Sequence, residues 1–153
     1  MKTLVLGLGN PILSDDGVGI KVSQEVARKA TGVDVMEASL GGLALLDIIT
    51  GYDRVIMVDA ILTGTRKPGE IVRFGPEDIA DSIHSSSPHD VNFSTALELG
   101  KALDIPLPKH IILYGIEAAD ITNFSEQCTP EVQEAVARCT DMVLEELRKN
   151  QYA

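Results

Sequence analysis

Basic residues are the scarce charge in this chain: 13 Lys and Arg stand against 23 Asp and Glu, a formal net charge of −10. Nucleic acid is therefore not an expected partner, because phosphate binding needs a basic face. Long apolar runs are missing as well. None approaches the roughly 18–20 residues that a bilayer-spanning helix needs, so no membrane association is expected. The opening MKTLVLGLGN has too short an apolar stretch for a secretory signal, and no small-residue cleavage site follows it. There are only two cysteines, Cys128 and Cys139. Cys139 falls on the apolar stripe of the last predicted helix, which points to two free thiols in a reducing cytoplasm rather than a bridge. Repeats, low-complexity tracts and linkers are absent. At 153 residues, 44% of them hydrophobic, the chain is expected to fold as a single α/β domain over 1–153.

What is present is organised around Thr3–Gly19, TLVLGLGNPILSDDGVG. A short apolar run breaks at a Gly-x-Gly turn, which delivers Asn10, Asp15 and Asp16 to one tip. A helix then starts, with Val18, Val22 and Val26 recurring every fourth position. Strand, tight turn and helix form the opening unit of an open α/β sheet, in which ligands gather at the carboxyl ends of the strands. The pattern predicts strands at Thr3–Gly7, Val33–Ala38, Arg54–Ala60 and His110–Ile116, with the third buried on both faces and closing on Asp59. Ile61–Pro68 is only eight residues, too few for a parallel crossover, so Gly69–Phe74 is expected as an antiparallel edge strand. Helices are predicted at Gly17–Ala30, Leu43–Thr50, Asn92–Leu103 and Pro130–Asn150, with a helical turn at Pro76–Ile83 and a polar loop at His84–Asp90. Phe93, Ala96, Leu97 and Leu99-Gly100 give the Asn92 helix its packing face. In the last helix Thr129 stands as the N-cap and Pro130 at the first turn, ahead of a stripe of Val132, Val136, Cys139, Val143 and Leu147. The expected architecture is a three-layer α/β sandwich: a mostly parallel five-stranded sheet, one antiparallel edge strand, and helices on both faces.

Three features land at the same end of such a sheet. Asp15 and Asp16 follow strand one, Asp59 closes strand three, and His89 sits in the polar loop before the Asn92 helix. Two carboxylates and an imidazole form a three-ligand set with open positions, suited to a borderline divalent cation such as nickel or zinc. Each residue also has a plainer role open to it. Asp16 is a good helix cap, Asp59 a strand-end side chain, and His89 a solvated loop histidine. Ser85, Ser86 and Ser87 beside His89 raise a serine hydrolase, but no Gly-x-Ser-x-Gly elbow accompanies them. Gly7-Leu8-Gly9 invites a dinucleotide reading; the third glycine of that fingerprint is Ile12 here, and Pro11 blocks a regular turn.

Taken together, GLGNPILSDDGVG, VIMVDA and SPHD resemble the hydrogenase maturation endopeptidases. The resemblance extends to the Gly41-Gly42 turn, to Gly115-Ile116-Glu117 and to the TPEV opening the last helix. Glu117–Cys128 departs from the shorter Gly- or Pro-rich segment of many members. The resemblance implies an endopeptidase that trims the C-terminal extension from the nickel–iron hydrogenase large-subunit precursor. It implies that Asp16, Asp59 and His89 are the metal-contacting and catalytic residues, with Asp15 and Asn10 shaping the loop. Nickel is then supplied by the substrate, the isolated enzyme holds no tightly bound metal, and the protein is expected to be a monomer. Two rival readings stand beside it. Peptidyl-tRNA hydrolase shares the words GLGNP, but it would continue with Gly, Tyr and a Thr-Arg-His-Asn run, where this chain has Ile12-Leu13-Ser14-Asp15-Asp16. A non-enzymatic nickel carrier could use the same three ligands, and would retain its metal when purified.

Overall fold

The computed structural model describes residues 1–39, 41–75, 78 and 93–149. Five strands, β1 (Thr3–Leu8), β2 (Asp34–Ala38), β3 (Arg54–Ile61), β4 (Ile71–Phe74) and β5 (His110–Glu117), form one sheet in the order β2-β1-β3-β5-β4. The first three pairings are parallel, and β4 runs antiparallel to β5 at the edge. The antiparallel edge strand is as expected: the short 62–70 connection can reverse the chain but leaves no room for a parallel crossover.

The apolar runs alternate between two cores. Leu4, Leu6, Val55, Met57, Ile111 and Leu113 face helices α2 (Gly42–Ile49) and α3 (Phe93–Ala102), through Leu45, Leu46, Ile49, Phe93 and Ala96. Val5, Ile56, Val58, Ile112, Tyr114 and Ile116 face α1 (Val18–Lys29) and α4 (Pro130–Arg148). Helices therefore cover both faces, which is why the central strands read as unbroken apolar runs rather than alternating ones. Val18, Val22 and Val26 of α1 and Val132, Cys139 and Val143 of α4 are fully buried, as their spacing predicts.

Several expectations need correction. β3 does not close on Asp59 but continues to Ile61, because Asp59, Ala60 and Ile61 still pair with Gly115, Ile116 and Glu117 of β5. Leu99, placed on the packing face of α3, is 44% exposed. Thr129 holds the N-cap position of α4, but its hydroxyl makes no cap bond and turns to Asp15 instead. Apart from Asp78, the expected turn at Pro76–Ile83 lies outside the described residues, as does the loop at His84–Asp90, with Ser85, Ser86, Ser87 and His89 in it.

Candidate active site

The site begins with backbone crowding at the carboxyl end of β1. Gly9 has φ +131, and a Cβ there would lie 1.9 Å from the Asp16 carbonyl oxygen. A Cβ on Gly19 would come within 2.2 Å of the Val58 carbonyl oxygen. Gly9 and Gly19 therefore let the start of α1 sit directly on β1 and β3. Before α1 begins, Ser14–Gly17 makes one 3-10 turn, and this turn carries the two adjacent aspartates.

Those neighbours have opposite environments. Asp15 is fully buried and wrapped in donors. Its carboxylate accepts from the N–H groups of Ala119 at 2.9 Å, Asp120 at 3.0 Å and Thr129 at 2.7 Å, and from the Thr129 hydroxyl at 2.9 Å. It thereby ties the loop after β5 and the start of α4 to the loop after β1. Asp16 is only partly buried. Its Oδ2 accepts from the Asn10 N–H at 3.0 Å, while Asn10 Oδ1 accepts from the Ile12 N–H at 3.1 Å. Asn10 and Asp15 fix the course of the loop; among the described residues the Asp16 carboxylate accepts only the Asn10 N–H.

Asp59 is 6% exposed and lies on the α2/α3 side of the sheet, two residues beyond Met57. Among the described residues its carboxylate accepts one hydrogen bond, from the Ala60 N–H at 2.8 Å. Burial pushes its pKa up to about 8, the negative charge of Asp16 pushes in the same direction, and the Ala60 bond opposes both. The structure thus brings Asp16 and Asp59 into electrostatic contact from two separate elements. Among the described residues no group of three His, Cys, Asp or Glu side chains converges on one point. His89, the third member expected, lies outside the described residues.

Neither thiol is a competing nucleophile. Both cysteines are free, and burial raises the pKa of Cys128 and pushes that of Cys139 up to about 12. Among the described residues no helix is long and apolar enough to cross a membrane.

Glu117 entered the sequence analysis only as part of the Gly115-Ile116-Glu117 resemblance, with no role given to it. It is 1% exposed, and its carboxylate accepts from the Thr63 N–H at 2.9 Å, the Thr63 hydroxyl at 2.6 Å and the Gly64 N–H at 3.3 Å. It pins the loop that leaves β3 just beyond Asp59. A glutamate ending an apolar strand was the available signal, but its partners are more than fifty residues away in sequence, and spacing cannot reveal them.

This chain resembles known proteins along nearly its whole length. The hydrogenase expression/formation protein HupD of Thiocapsa roseopersicina is 26% identical over 151 residues, covering 95% of this chain and 67% of that protein. The hydrogenase 2 maturation protease of Escherichia coli is 25% identical over 154 residues, 98% of this chain and 93% of that one. Among solved structures, the hydrogenase-maturating endopeptidase HybD of E. coli shares the fold with a TM-score of 0.81 at 24% identity, over 97% of this chain and 93% of that chain. The family described as hydrogenase maturation protease matches residues 18–146. With a five-stranded, mostly parallel sheet that ends in one antiparallel edge strand, and a carboxylate pair at its carboxyl end, the chain belongs to the hydrogenase maturation protease family.

Proposed function

We propose that this protein removes the C-terminal extension of a nickel–iron hydrogenase large-subunit precursor after nickel insertion, and that it uses the nickel in its substrate as the recognition element. The observation that carries this reading is the Asp16–Asp59 pair, two carboxylates from separate elements, with Asp59 buried and the charge of Asp16 adding to the cost of ionising it. Such a pair is costly in an empty site and favourable against a divalent cation. The family match supports proteolysis over ester hydrolysis on tRNA. His89 completes the set; it precedes α3 by four residues, and α3 packs on the face of the sheet to which Asp59 belongs.

At neutral pH an Asp59 pKa of about 8 leaves this carboxyl largely protonated until a cation docks. Docking of the precursor's nickel against Asp16, Asp59 and His89 displaces that proton and sets the adjacent scissile peptide at the site. A metal beside the peptide polarises its carbonyl. Water adds to the carbonyl carbon, a carboxylate takes the water's proton, and the proton passes to the leaving amide nitrogen as the C–N bond breaks.

The test is cleavage of nickel-loaded precursor, followed by mass, with Asp16→Ala, Asp59→Ala and His89→Ala. Each variant should leave the precursor uncut while retaining the wild-type far-UV spectrum. A variant that cleaves at the wild-type rate removes its residue from the site.

A further inference from the structure

Among the large apolar side chains described, Phe124 is the most exposed, at 82%. It is one of only three phenylalanines in the chain, and its apolar surface is left in water in the free protein. The segment that carries it is closely tied down. The Asp120 carboxylate accepts from the N–H groups of Thr122 at 3.0 Å and Asn123 at 3.1 Å, and from Asn123 Nδ2 at 2.6 Å. The Asn123 carbonyl accepts from the Ser14 hydroxyl at 2.7 Å, and Ser125 exchanges backbone hydrogen bonds with Ser14 and Ile12, both at 2.9 Å. The residues on both sides of Phe124 are therefore bonded to the loop that holds Asp15 and Asp16, while its own ring points into water.

Ile12 sits beside it. The Leu13–Ser125 bridge is parallel, so the residues just before each, Ile12 and Phe124, are neighbours across it, and Ile12 is 46% exposed. Past the end of β3, Leu62 is 52% exposed on the loop that Glu117 pins through Thr63 and Gly64. Each of two buried carboxylates thus fixes a loop that presents a bare apolar side chain at the end of the sheet holding Asp16 and Asp59. A rigid aromatic already held in place loses little conformational freedom on binding, which is the character of an interface anchor.

We propose that Phe124, with Ile12 beside it, docks into an apolar pocket on the folded precursor next to its scissile tail. This rests on the function proposed above. The precursor is the occupant that fits, because the segment carrying the ring is hydrogen-bonded to the same loop that presents Asp16. A second copy of this chain fits poorly, since each copy carries a net charge of −10 and the two repel. Loop hydrogen bonds hold the pKa of Asp120 down to about 2, so its charge persists beside the anchor, and the complementary pocket carries basic residues at its rim.

The experiment is steady-state cleavage of nickel-loaded precursor by wild type, Phe124→Ala and Phe124→Leu, with light scattering on each enzyme alone. Phe124→Ala should raise KM about tenfold and leave kcat within about twofold, the signature of lost uniform binding. Phe124→Leu should recover most of the loss, and melting temperatures should not move because the ring is exposed. Wild type that fails to cut the precursor overturns the function proposed above. Wild type that cuts it, with an unchanged KM in Phe124→Ala, overturns the anchor alone. A wild-type dimer that Phe124→Ala dissociates assigns the face to self-association and also overturns it.

Discussion

Two buried carboxylates at different places along the sheet have opposite surroundings. Glu146, in the last turns of α4, is 1% exposed and meets Arg73 Nε at 2.8 Å, the Tyr114 hydroxyl at 2.9 Å and Lys149 Nζ at 3.6 Å. The backbone there is also secured. Arg54, at the amino end of β3, donates through its guanidinium to the carbonyls of Glu146 at 3.1 Å, Lys149 at 3.2 Å and Leu147 at 3.3 Å, capping the C-terminus of α4. Asp59, near the other end of β3, accepts one backbone N–H among the described residues and faces a second carboxylate. A buried charge kept for stability is given cations and hydroxyl donors. A buried carboxyl that lacks them among the described residues and sits beside a like charge is a candidate for a functional site. Glu146 has its charge met within the fold, whereas Asp59, among the described residues, meets one backbone N–H and a like charge.

Truncating each carboxylate should expose that difference. Glu146→Ala leaves Arg73 without its buried partner and Tyr114 without its acceptor, and should lower unfolding free energy by about 3 kcal/mol in a urea titration. It should nevertheless cleave precursor normally at temperatures where it is folded. Equal stability in wild type and Glu146→Ala would break the comparison.

Asp59→Asn should move stability the other way. Folded Asp59 has a pKa of about 8, above the roughly 3.9 of an unfolded aspartate, so the folded state binds more protons between those values. The Asp59 contribution to wild-type stability therefore falls as pH rises from about 4 to about 8. The asparagine variant has no such loss. It should match wild type near pH 4 and exceed it near pH 8, by a margin on the order of a few kcal/mol, while being inactive. Parallel pH–stability curves for the two proteins would contradict a raised Asp59 pKa.

The smallest effect should come from thiol and serine reagents, which should leave cleavage unchanged. Cys139 is buried with its pKa pushed up to about 12, and Cys128 is raised by burial as well. Stoichiometric inactivation by iodoacetamide that tracks Cys128 would place a nucleophile at the site after all.

The fold was legible because its signals are local. The apolar run Arg54–Ala60 reads as a strand covered on both faces, and the eight residues after it leave no room for a crossover. The loop after β1 was legible in composition, and Asp16 and Asp59 do meet at the carboxyl end of the sheet. What spacing could not show was which acidic residues are structural. Asp15 and Asp16 are adjacent letters, and only the contacts of Asp15 with Ala119, Asp120 and Thr129 distinguish them. Thr129 looked like a helix cap for the same reason: its hydroxyl has a distant acceptor that no local rule anticipates. Glu117 and Phe124 were hidden by the same long sequence separations.

The central claim is that substrate nickel completes a site whose protein half is the Asp16–Asp59 pair with His89. Metal-depleted enzyme should be incubated with precursor made with and without nickel, and the products followed by mass. The nickel-loaded precursor should be cut to a single shortened product, and the nickel-free precursor should remain intact. Equal cleavage of the two would contradict the claim, and tight stoichiometric nickel in the purified enzyme would point to a carrier instead.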